Sequence, residues 1–147
     1  MKKNTSKFRY VEWKSADEMD HTTNQWISEM KFIKDEHLFF KDMLKEYTLP
    51  IIESNLFPQV KVLIDQLTTS EKKVDTLLKD VQNHKNGIEV LVDLKDEPAK
   101  ERAYKEEHRN LLQEVNSFTE VYNKMKKEIF ATVSQALKHL KQKRLLK

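Results

Sequence analysis

The stretch from Pro98 to Lys147, PAKERAYKEEHRNLLQEVNSFTEVYNKMKKEIFATVSQALKHLKQKRLLK, decides the fold. In it Tyr104, His108, Leu111, Val115, Phe118, Tyr122, Met125 and Ile129 recur alternately four and three residues apart. That rhythm keeps one stripe along one side of a helix. No Gly or Pro follows Pro98, so nothing in the stretch ends the helix. At about 1.5 Å per residue it would reach roughly 70 Å, more than a compact domain of this length needs. The remaining segments are therefore expected to pack against it as rods. Past Ile129 the stripe moves to Val133, Ala136 and Leu140, with two four-residue steps in succession, a stutter that relaxes a left-handed supercoil.

Working back along the chain, Val60, Leu63, Leu67, Ser70, Val74, Leu77, Val81, His84, Ile88 and Leu91 keep the same alternation and predict a second helix over 58–94. Its weak point is Asn86-Gly87, which could instead stop the helix and leave Ile88 to Asp93 as a short strand. A mid-helix Gly costs only about 1 kcal/mol, and the unbroken stripe outweighs it. Asp96-Glu97-Pro98 reads as a compact turn, with acids at a helix N-terminus and Pro in its first turn.

Another stripe, Trp26, Met30, Ile33, His37, Phe40, Leu44 and Tyr47, predicts a first helix over 16–48, and Phe32, Phe39 and Met43 widen its apolar face enough to touch two neighbours. Ser15-Ala16-Asp17-Glu18 and Thr22-Thr23-Asn24-Gln25 are both capping-box signals, so the helix is expected to start at one of them. Thr48-Leu49-Pro50 is expected to stop it, and a loop of Ile51, Ile52, Leu56 and Phe57 to cap the end of the core. Residues 1–14, with Phe8, Tyr10 and Trp13, read as a flexible or docked arm.

Composition agrees with rods. One Gly, three Pro and 35% charged residues starve β-turns and suit long amphipathic helices, and the absence of Cys excludes disulfides and thiolate chemistry. No apolar run approaches the ~20 residues of a membrane span, and no signal core follows Met1, so a cytoplasmic protein is expected. The ends are basic and the body acidic: residues 1–14 hold five Lys or Arg against one Glu, and residues 124–147 hold eight against one.

Two groupings bear on chemistry. If the second and third helices turn back on each other near Asp96, His84 and His108 lie at one level, and His21 falls at a similar height. Glu18 and His21 have the Glu-x-x-His spacing of carboxylate-bridged metal bundles, so Glu18, His21, His84, Glu107 and His108 are metal candidates. A di-metal bundle needs two such pairs and two further inward carboxylates, and this chain has one pair. The competing reading is a polar layer in the seam that fixes register, to which His37 and Ser70 also belong.

The second grouping is the basic tail, where Lys138, Lys141, Lys143, Arg144 and Lys147, after Lys124, Lys126 and Lys127, could meet phosphates or anionic lipid with Leu140, Leu145 and Leu146 as apolar complement. Only Phe130 is aromatic between Lys124 and Lys147, which disfavours nucleic-acid recognition, and a solvated helix end is the simpler account. Tyr10, Trp13 and Trp26 read as packing residues rather than a ligand groove. With one Gly there is no phosphate-cradling loop and no nucleophile elbow, and no small-molecule substrate or cofactor is evident.

The sequence therefore predicts an all-α protein, an elongated antiparallel three-helix bundle with helices near 16–48, 58–94 and 98–146. It is expected to be non-enzymatic and to act by pairing with itself or another helical protein, through whatever seam the shorter first helix leaves uncovered. The metal-binding bundle and the anionic-surface binder are the alternatives.

Overall fold

A computed structural model describes residues 16–93 and 98–146. The protein is all-α: α1 spans Ala16–Glu46, α2 Thr48–Glu53, α3 Phe57–Asp93 and α4 Pro98–Leu145, with no strand among the described residues. The expected arm at 1–14, the Ser15 cap, the turn at Asp96-Glu97 and the terminal Lys147 lie outside the described residues.

The stripes do what their spacing implies. From Val60 to Leu91 every stripe position of α3 is buried, the polar Ser70 and His84 included. From His108 to Ala136 the same holds along α4. At roughly 1.5–3 kcal/mol for each fully buried large apolar side chain, these seams supply most of the drive for folding.

α3 runs without a break through Asn86 and Gly87. The packing gives the reason for the only glycine in the chain. A Cβ built on Gly87 would lie 2.6 and 2.7 Å from ring carbons of Tyr104, so the missing side chain is the notch that admits this ring.

Of the two expected start signals the first agrees with α1, which begins at Ala16, so Thr22 and Thr23 lie inside the helix. Their hydroxyls bond back to the carbonyls of Glu18 and Asp20, at 3.0 and 2.8 Å, as mid-helix Thr does. Contrary to expectation, Pro50 does not leave a long loop behind it. α1 gives way at Tyr47 directly to α2, where Pro50 is the third residue and its missing N–H is one that the first turn would not have used. Thr48 satisfies the ends of α1 by donating to the carbonyls of Leu44 and Lys45.

α2 is stopped by Asn55, the residue after its C-cap Ser54, whose φ of 63° is the left-handed conformation of a helix stop. The amides of Asn55 and Leu56 return to the carbonyls of Ile52 and Ile51, at 3.1 and 3.0 Å, which closes a Schellman motif. Ile51 and Leu56 are buried around it, whereas Ile52 and Phe57 are exposed rather than capping the core. Phe32 and Phe39 remain 59% and 55% exposed, so, contrary to expectation, α1 does not bury the wide face its sequence suggested.

The chain divides into two compact units. Unit 1 is Met1–Met30 with Thr76–Asn116. Among its described residues Met19, Ile88 and Leu91 form a buried cluster closed by Ala16 and Tyr104, and Trp26, Val81, Leu111 and Val115 are also buried. The stripe of α3 is thus covered as far as Leu91 rather than left as an open seam. Unit 2 is Lys31–Asp75 with Ser117–Lys147. Its interior is built on Phe40, Leu67, Phe118, Tyr122 and Ile129, with Ile51 of α2 buried as well.

Candidate functional site

In unit 1 the stripe positions of α3 and α4 bring His84 and His108 face to face, both buried, with rings stacked 5.1 Å apart and His84 Nε2 3.0 Å from His108 Nδ1. His84 Nδ1 meets the carboxylate of Glu107, and Trp26 of α1 stacks on His108 at 4.6 Å. An ionised carboxylate only accepts, so Nδ1 of His84 carries a proton. When His84 is neutral, its Nε2 accepts from His108 Nδ1–H. Burial, with the neighbouring His84 adding to it, pushes His108 down to about 3, so its ring is neutral at ordinary pH.

His84 commits both ring nitrogens to hydrogen bonds, which leaves it no lone pair for an ion. His21, expected at the same level, is exposed, as is Glu18. The reason is angular: His21 lies between the buried Met19 and Thr23, and at about 100° per residue the intervening position points away. Trp26 takes the place assigned to His21. Among the described residues no three His, Asp or Glu side chains gather in an arrangement that could hold a metal ion. At the edge of this layer Lys85 reaches Asp20 at 2.8 Å and Glu89 at 3.2 Å, and the Asp20 bond raises its pKa.

Unit 2 carries its own polar layer. His37 Nε2 is 2.8 Å from Ser70 Oγ, while Nδ1 is buried with no hydrogen-bond partner among the described residues. Either neutral tautomer leaves that edge of the ring bare. Burial holds His37 below the usual imidazole range, with Lys41 acting in the same direction and Glu71, Asp75 and Glu36 opposing. The rings of His37 and Tyr122 meet in a T shape with centroids 5.3 Å apart, and the Tyr122 hydroxyl donates to Glu36 at 2.8 Å. Glu36 also receives Lys126 at 2.8 Å. Burial first and then the Glu36 bond drive the Tyr122 phenol upward, so it remains a donor. The Tyr122–Glu36 link was not anticipated from sequence, although a seam tyrosine that needs an acceptor was the signal.

Charged and apolar side chains also mark the surface of unit 2. Lys34 pairs with Asp75 at 2.8 Å and Lys41 with Glu71 at 2.7 Å, which ties α1 to α3. Between α3 and α4 lies a cleft of about 660 Å³, floored by Phe118 and Met125 and flanked by Val62 and Val121. Its rim mixes Asp65 and Glu128 with Lys73 and Lys124 and has no single sign to select a charged ligand. In unit 1 a smaller recess of about 360 Å³ sits beside Gly87 and Tyr104.

Of the basic-tail candidates, Lys138, Lys141 and Arg144 are exposed, and Lys143 pairs with Glu53 at 3.3 Å. At 100° per residue the apolar complement expected there, Leu140, Leu145 and Leu146, does not fall on one stripe, and Leu140 is half-buried. No described helix is long and apolar enough to cross a membrane. Comparison with known proteins adds no assignment: no family model, no curated protein and no solved structure matches the chain.

Proposed function

We propose that this chain is a non-enzymatic, cytoplasmic interaction protein, a three-helix bundle running up-down-up that works by docking a helical partner on its side. The observation that carries this reading is the placement of exposed apolar residues in unit 2. Phe32 and Phe39 on α1, Phe57 and Ile64 on α3, and Phe130 and Leu137 on α4 are each exposed pairs seven residues apart. Seven-residue spacing outside the core is the spacing that another helix would read. Side chains of this size left in water at such regular intervals mark partner surfaces. The two histidine layers serve this reading as register-setting devices inside the scaffold.

The test is the native mass of the full chain in extracts of cells that express it. Migration well above the 17.6 kDa of one chain is expected. A lone monomer in extract overturns the interaction reading.

A further inference from the structure

The side of unit 2 where α1 meets α4 is specific enough to name the partner, provided the interaction reading above holds. Glu36 of α1 bonds Tyr122 and Lys126 of α4, and one turn further on Phe40 meets Phe130 at 5.4 Å. Phe39 packs on the same Phe40 ring at 5.7 Å. The exposed Phe39 and Phe130 therefore flank one aromatic base, and Phe32 and Leu137, each seven residues away, extend the two lines they begin. The Glu36–Lys126 pair lies one turn before Phe40 and Phe130 and is already neutralised, so it adds no uncompensated charge to this face.

The rims decide what fits. At 100° per residue the exposed charged positions just outside the Phe32–Phe39 line of α1 are Asp35, Asp42 and Glu46, with Lys31 at its start. The exposed charged positions just outside the Phe130–Leu137 line of α4 are Lys127, Lys138 and Lys141, with Ser134 between them. One edge of this face is mainly acidic and the other basic. We propose that the occupant is a second copy of this chain, related by a two-fold axis parallel to the helices, so that α1 of each copy lies on α4 of the other. That axis sets each acidic edge against a basic one and brings Phe39 of each copy to the level of the other's Phe130. A two-fold across the helices would set acid on acid, which the charges oppose.

The size of the face sets the strength. Phe32, Phe39, Phe130 and Leu137 are 59%, 55%, 42% and 37% exposed. At about 200 Å² for a large side chain this is roughly 350–400 Å² of apolar surface per copy. With the rim stems added, the pair falls near the lower bound of specific interfaces, which fits an exchanging dimer with a micromolar Kd.

Sedimentation of the purified chain from low to several hundred micromolar tests this, with helix content checked by circular dichroism. The expected result is a concentration-dependent species of about twice 17.6 kDa. Phe39→Glu is expected to weaken it at least about tenfold, as is the paired reversal Asp35→Lys/Asp42→Lys. Adding Lys127→Glu/Lys138→Glu to that reversal is expected to restore it. A monomer throughout overturns the second-copy proposal; if the chain is nevertheless heavier in extract, the interaction reading stands with a different partner. A dimer indifferent to Phe39→Glu overturns this face, and one sensitive to Phe39→Glu but not to the rim reversal overturns the two-fold arrangement.

Discussion

Unit 1 and unit 2 are cut from the same long helices and share the same four-three rhythm, yet they treat apolar surface in opposite ways. Among the described residues every exposed large apolar side chain but Val90 belongs to unit 2. Unit 1 closes over its own stripe and stacks two imidazoles and an indole inside it. Unit 2 buries a comparable core and then places a second set of heptad-spaced residues outside it. One stretch of helix can therefore cover its apolar residues within the chain while the next leaves several of them exposed.

The contrast is sharpest at two adjacent residues of α1. Phe40 is fully buried and Phe39 is more than half exposed. Phe40→Ala is expected to cost about 3–5 kcal/mol in urea unfolding, the range for deleting a core ring. Equal stability of Phe40→Ala and wild type would mean that the core of unit 2 is not organised around this ring.

The buried imidazoles make stability acid-sensitive. The folded-state values of His108 and His37 lie below the 6.5 of an ordinary imidazole, so the unfolded chain binds the protons first. Their contribution is complete above pH 6.5 and is lost as pH falls toward the folded values, which for His108 extends to about 3. Each contributes a slope of roughly 1.4 kcal/mol per pH unit within its window. Urea titrations between pH 7 and 5 should show this decline, and His37→Gln should remove part of the slope. A flat profile across that interval would mean that the rings are hydrated.

Gly87 gives a smaller effect with a specific signature. Gly87→Ala alone drives a methyl group into the Tyr104 ring, whereas in a Tyr104→Ala background the notch is empty and the helix keeps about 1 kcal/mol of propensity gain. A double-mutant cycle should therefore show coupling between the two positions. Additive effects would place the ring elsewhere. The smallest effect is expected for Phe39→Ser, which should change monomer stability by less than about 0.5 kcal/mol.

The rods were legible in the sequence because burial along a helix obeys one period. From Val60 to Leu91 and from His108 to Ala136 the stripes are buried position by position. The meeting of His84 and His108 followed from counting back from the turn. What could not be read depends on neighbours that periodicity does not contain. His21 sits two residues from the stripe positions Met19 and Thr23, and only the placement of Trp26 shows that the layer was already filled. Thr22-Thr23 carries a capping signature, but hydroxyls bond back to carbonyls equally well inside a helix. Pro50 looked like a stop because its missing N–H matters only where a carbonyl four residues back is waiting for it. Phe32 and Phe39 read as core because hydrophobicity alone does not say which chain will cover it.

Hydrogen exchange of the purified chain, compared at low and high micromolar concentration, tests the division between the two units most directly. The account predicts that concentration slows exchange in peptides covering 32–46 and 123–141 and leaves those covering 76–91 unchanged. Slowing confined to unit 1, or no change anywhere, would contradict it.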